Sequence, residues 1–188
     1  MADGTLKVGT ITTSSGSGTI TLGQSGETVD MANGSITLNS SMKATPAFEA
    51  YMNAQQTISD NTETAVEFDT ENFDTDGAFD TSTYRFTPQT AGKYFVYTMV
   101  NVSGDANSNL EYGWCFIRKN GSKLLESRFD YRSNNGRNAS PSVSQVVDLN
   151  GSTDYVDVYA AANDTTGSPV IEGTQRFTVF GAYRLIGA

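Results

Sequence analysis

The tightest constraint on the fold is a two-residue alternation of apolar and polar side chains, carried in short runs that end at glycine, asparagine or serine. In Tyr155-Val156-Asp157-Val158-Tyr159, Val156 and Val158 fall on one side of an extended chain, while Asp157 and the two tyrosines fall on the other. Asn120-Gly121 between two such runs is a strong hairpin signal, because both central positions tolerate positive φ. Asn150-Gly151 and Thr90-Ala91-Gly92 mark further turns. The predicted strands are Ala47–Met52, Ala65–Phe68, Tyr84–Thr87, Lys93–Val102, Glu111–Arg118, Lys123–Tyr131, Ser142–Leu149, Tyr155–Ala160 and Arg176–Leu185. Leucine is scarce while Thr, Val, Tyr and Phe are plentiful, which favours strands. With 188 residues the chain holds one domain of about 100–150 residues plus a short appendage. The expectation is an all-β, antiparallel fold, a sandwich or jelly roll, with a short N-terminal β-rich stem or arm.

Residues 1–42 form that appendage. They contain no aromatic residue and read as brief alternations, such as Thr19-Ile20-Thr21-Leu22 and Ser35-Ile36-Thr37-Leu38, broken at Ser14–Gly18, Gly23–Gly26 and Ala32–Gly34. Apolar pairs recurring every eight or nine residues suit the turns of a β-stem, with a flexible Gly/Ser-rich linker as the alternative. One copy has little apolar surface to bury, so neighbouring chains or another protein should support it. Aromatic residues begin after Ala44, which puts the boundary near Met42–Pro46 and the head at residues 46–188.

Several function classes are disfavoured by what the chain lacks. It has no histidine, so the usual general base near neutral pH and the commonest metal ligand are absent. The single cysteine, Cys115, reads as a small buried residue within a strand. Net charge is −9, and eight acids lie between Asp60 and Asp80 with no Lys or Arg among them, which disfavours nucleic acid as a partner. Asp74-Thr75-Asp76-Gly77-Ala78-Phe79-Asp80 is similar to the start of a calcium loop, but no glutamate follows at the required spacing, so a solvated acidic loop is the better reading. Paired acids in a loop lack the raised-pKa setting of a glycosidase. No catalytic residue, cofactor or metal site is therefore expected. The opposite charge bias, Arg118, Lys119, Lys123, Arg128, Arg132 and Arg137 against Glu126 and Asp130, suits an acidic neighbour. The polar stretches Ser133–Ser140 and Asn163–Ser168 suit weak carbohydrate or surface contacts, with ordinary exposed connections as the alternative. No run reaches transmembrane length, and Met1-Ala2-Asp3-Gly4 does not open a signal peptide, so the expectation is a protein carried on a particle rather than secreted or inserted in a membrane.

The head resembles the globular domain of complement component 1q and its tumour-necrosis-factor-like relatives. Pro46-Ala47-Phe48-Glu49-Ala50 is similar to the family's first strand, and Phe68-Asp69 with Gly77-Ala78-Phe79-Asp80 to the approach to its next strands. The most specific segment is Tyr84-Arg85-Phe86-Thr87-Pro88-Gln89-Thr90-Ala91-Gly92-Lys93-Tyr94-Phe95-Val96; Val146–Leu149, Asp154-Tyr155-Val156 and Phe177–Leu185 continue the pattern. It departs at Asn150–Asp154, where a shorter turn is usual, and no collagen-like stem is present. The resemblance implies a jelly roll that assembles as a homotrimer. It makes Tyr51, Tyr97, Tyr159, Phe180 and Tyr183 interface candidates, each of which could equally be a core aromatic. Residues 1–42 resemble N-terminal segments of marine tailed-phage virion proteins, which implies anchorage to a capsid or tail protein and a place on the virion surface. The resulting expectation is a non-enzymatic virion structural protein. A capsid decoration or short head fibre is favoured by the short stem; a tail-fibre receptor-binding tip, or a free module binding host surface glycan or protein, is the alternative.

Overall fold

A computed structural model describes residues 45–104 and 108–186; the stem expected over residues 1–42 lies outside them. In chain order the strands among the described residues are β1 (Ala47–Tyr51), β2 (Gln56–Thr57), β3 (Thr64–Ala65), β4 (Thr70–Asp74), β5 (Phe79–Asp80), β6 (Arg85–Phe86), β7 (Gly92–Met99), β8 (Val102–Ser103), β9 (Leu110–Lys119), β10 (Ser122–Asp130), β11 (Asn138–Ala139), β12 (Ser142–Leu149), β13 (Val156–Asp164), β14 (Val170–Ile171) and β15 (Val179–Arg184). A single 3-10 turn, Thr174–Arg176, leads into β15.

All pairings are antiparallel. The first sheet runs β12-β7-β15-β1-β4, and the second runs β10-β9-β13-β6-β5 with β3 beside β13. Four short strands, β11-β8-β14-β2, cap one end. The cap follows directly from Tyr51 at the end of β1 and Met99 at the end of β7, so it lies at the opposite end of the head from Pro46, where the chain enters.

Alternation places the core between the two large sheets. In β7, Tyr94, Val96 and Thr98 face inward as their spacing requires, and in β12 Val143, Val147 and Leu149 do so. A phenylalanine cluster fills the centre, with Phe48 stacked on Phe86 at 4.4 Å and on Phe79 at 4.7 Å and edge-on to Phe180 at 4.9 Å. Tyr94 is fully buried, and its hydroxyl donates to the Thr90 carbonyl at 2.6 Å, so the ring enters the core without an orphaned polar atom. Asn120 and Gly121 have φ of 50° and 79°, the two positive values that a tight hairpin between β9 and β10 needs. The lengthened turn at Asn150–Asp154 is closed from within, since Asn150 Oδ1 accepts from the backbone amides of Ser152, Thr153 and Asp154 at 3.0 Å each.

The observed strands depart from the predicted ones in several places. The Lys93–Val102 run divides, because β7 stops at Met99 and Val102 crosses to the cap. Ala65–Phe68 keeps only Thr64-Ala65 as paired strand, although Val66 and Phe68 remain fully buried. The acidic stretch contains β4, an edge strand whose burial pattern gives no clean alternation to read. Asp74 then ends that strand by accepting from the amides of Asp76 at 3.2 Å and Phe79 at 2.7 Å, and Asp80 accepts from Ser82 and Thr83. These two carboxylates organise turns, and no group of three or more acids disposed to hold a metal occurs among the described residues.

Candidate assembly face

Strand alternation that sends Phe48, Val96 and Ala182 inward sends the intervening residues of the first sheet to its outer face. Register then sorts them into rows. Val146, Phe95, Tyr183 and Ala47 form one row. Ser144, Tyr97, Gly181, Glu49 and Phe73 form the next, followed by Ser142, Met99, Val179, Tyr51 and Thr70. Phe95 links the rings, 5.4 Å from Tyr183 and 6.2 Å from Tyr97. Val146, Phe73 and Tyr183 are left 50, 45 and 41 % exposed, apolar positions on one sheet face that no element among the described residues covers.

Local chemistry holds this surface flat. A Cβ at Gly181 would lie 2.4 Å from the Tyr97 ring, so only glycine lets that ring lie across β15. Having crossed, the Tyr97 hydroxyl donates to Glu49 Oε2 at 2.7 Å, while Asn72 donates to Glu49 Oε1 at 3.1 Å. Burial first, and then the carboxylate it faces, push the Tyr97 phenol far above its usual range, so it stays a donor at any working pH. Arg176 sits over the Tyr51 ring at 4.3 Å and bonds Asn72, and the Lys93–Asp148 pair at 2.7 Å closes the margin nearest Phe95.

The opposite sheet carries as many aromatics, but each is covered by a cation of the same chain. Arg118 lies over Tyr159 at 3.3 Å, Lys123 over Phe116 at 3.9 Å, Arg85 over Tyr155 at 4.1 Å, Arg132 over Tyr112 at 5.2 Å and Arg128 over Trp114 at 5.3 Å. The cations are in turn paired. Arg118 grips Asp157 through two bonds of 3.0 Å, Arg85 approaches the same carboxylate at 3.6 Å, Lys123 bridges Glu63 and Glu126, and Lys119 meets Asp154. Hydrogen bonding to Lys123 lowers the Glu63 carboxyl, and Arg132 holds Asp130 down at about 2. The acidic neighbours expected for the Arg118–Arg132 run therefore belong to this chain.

Of the five aromatic candidates, Tyr51, Tyr97 and Tyr183 are brought together on the outer face of the first sheet. Tyr159 stands on the second sheet, beneath Arg118 and 6.0 Å from Phe116. Phe180 is corrected to a core residue, fully buried against Phe48, Phe68 and Phe79, because it occupies an inward position between Val179 and Gly181. Phe95, Val146 and Phe73 were not singled out from the sequence; the first two follow from alternation within their strands, and Phe73 needed the β1–β4 register. Cys115 is fully buried, its thiol donating to the Pro141 carbonyl and raised by burial to about 12.

The fold is shared with solved structures. The globular domain of zebrafish complement 1qA superposes with a TM-score of 0.55 at 16 % identity, covering 74 % of this chain and 96 % of that one. The head is a complement 1q/tumour-necrosis-factor-like jelly roll. The Eiger tumour necrosis factor of S. frugiperda gives 0.54 at 13 % identity, covering 76 and 93 %, and murine APRIL gives 0.53 at 12 %, covering 74 and 98 %. No family model and no curated protein matches the sequence. At these identities the jelly roll is shared as a fold, and its use must be argued from the surface just described.

Proposed function

We propose that the chain is a non-enzymatic display module whose jelly-roll head assembles as a homotrimer and whose N-terminal residues 1–42 attach it to a virion. The observation that carries the assembly is the bare apolar face of the first sheet. A second apolar patch lies on β10, which packs beside β12, where Leu124 and Leu125 are exposed by 40 and 46 %. Two different patches, one on a face and one on an edge, suit a head-to-tail contact that closes into a ring. Three-fold closure is the order that the family resemblance implies.

A non-enzymatic role is supported by the absence of histidine from the sequence, by the buried, proton-retaining Cys115 and by the engagement of Asp74 and Asp80 in turns. Attachment to a virion, as a capsid decoration or short head fibre or as a tail-fibre tip, rests on the resemblance of residues 1–42; the position of antibody label on intact particles tests it, and unlabelled particles would remove it.

Hydroxyl-radical footprinting of the full chain tests the assembly. Phe177, 43 % exposed at the cap, serves as an internal reference for Phe73 and Tyr183, which have similar exposure in the protomer. Oxidation of Phe73 and Tyr183 is expected to be several-fold slower than that of Phe177. Equal rates for the three would refute burial of the face.

A further inference from the structure

The cap holds a polar cavity of about 500 Å³ at the end of the head opposite Pro46, within the range of ligand pockets. Its chemistry is independent of the apolar face and of the proposed trimer. One wall is the carboxylate of Glu172, fixed on both oxygens: Ser103 Oγ donates to Oε1 at 2.6 Å and Gln55 Nε2 to Oε2 at 3.2 Å. The Glu172 backbone is fixed as well, its amide donating to the Asn101 carbonyl at 2.9 Å and its carbonyl accepting from Thr178 Oγ1 at 2.6 Å. Each carboxylate oxygen retains a lone pair for a further donor.

Asn101 contributes to the lining. It is 7 % exposed, its amide nitrogen donates to Ser140 Oγ at 2.7 Å, and its amide oxygen accepts from no protein donor. At the rim stand the half-exposed ring of Phe177 and the guanidinium of Arg137. Among the cations from Arg118 to Arg137, Arg137 is the one that pairs with no carboxylate among the described residues.

We infer that this cavity binds an acidic sugar residue, a pyranose bearing a carboxylate. The three groups ask for different parts of one such molecule. Vicinal hydroxyls donate to Glu172, whose second lone pairs are free. The C–H face of the ring lies against Phe177. The carboxylate pairs with Arg137, a fork suited to a planar anion. A simple anion leaves Glu172 repelled and Phe177 unused, and a purely apolar ligand leaves Arg137 and Glu172 without partners. Since Glu172 is held by its own hydrogen bonds, little ordering of that wall accompanies binding.

Titration calorimetry on the full chain, using a glucuronate-containing oligosaccharide and its glucose counterpart of the same linkage, tests this. The uronate is expected to bind at least tenfold more tightly than the neutral sugar. Arg137→Gln should abolish that preference while leaving residual binding of both, and Glu172→Gln and Phe177→Ala should each weaken both ligands about tenfold, with the thermal midpoint of each variant confirming that it folds. Absence of binding to either sugar, equal affinity for the two, or uronate binding unchanged in Arg137→Gln and Phe177→Ala would overturn the assignment. The mass of the protein is measured separately, so failure of sugar binding and failure of trimer formation are distinguishable.

Discussion

Val146→Asp should dissociate the assembly while leaving the protomer folded. Val146 is 50 % exposed on the outer face of β12, the edge strand of the first sheet beside β7. Fully burying a valine is worth about 2 kcal/mol, so covering its exposed half in an interface contributes about 1 kcal/mol per protomer and about 3 kcal/mol per trimer. That loss alone weakens assembly by about a hundredfold, since each 1.4 kcal/mol is a factor of ten. An unpaired carboxylate forced into the same contact adds several kcal/mol more, for an expected weakening of at least about a thousandfold. Sedimentation velocity over a concentration series reads this directly, with circular dichroism showing that the strand content is retained. Ser133→Asp, an exposed polar site in the β10–β11 loop, controls for added charge and should leave the assembly unchanged. An assembly that survives Val146→Asp undiminished would refute the assignment of this face.

Three further outcomes follow from the core and the second sheet. Asp157→Ala removes the nearly buried carboxylate held by Arg118 and Arg85, and urea denaturation should show a loss of about 3–5 kcal/mol, with Arg118→Met/Asp157→Leu recovering most of it; a loss below 1 kcal/mol would contradict the role of the pair. Phe180→Ala should cost about 3–5 kcal/mol by opening a cavity against Phe48, Phe68 and Phe79, and a stable, dissociated protomer would show instead that Phe180 acts at an interface. Cys115 should resist iodoacetamide at pH 8 in the folded protein and react fully in urea, because burial keeps its thiol protonated up to about 12.

Local periodicity made most of the long strands legible. Ser142–Leu149 is a predicted strand with the same bounds in the structure, and the inward set Tyr94, Val96 and Thr98 follows from spacing alone. Positive φ at Asn120 and Gly121 was readable for the same local reason. The two-residue strands of the cap were not, since Gln56-Thr57, Asn138-Ala139 and Val170-Ile171 are too short to repeat any alternation and exist because their partners do.

The face was half legible for a related reason. Aromatic type suggested Tyr51, Tyr97 and Tyr183, but type does not tell an inward ring from an outward one, so Phe180 was grouped with them although its position in β15 points into the core. Alternation puts Asp157 on the side opposite Val156 and Val158, yet it is 3 % exposed, because Arg118 from β9 and Arg85 from β6 close over it. That burial depends on which strands become neighbours. The same holds for the basic run, whose carboxylate partners Glu63 and Asp157 lie far away in sequence.

The most direct test is the mass of the full chain in solution by multi-angle light scattering across a hundredfold range of concentration. Three copies of a 20.2 kDa chain give about 61 kDa, and that mass should persist down to the lowest concentration measured. A stable 20.2 kDa species throughout the range would contradict assembly through the apolar face.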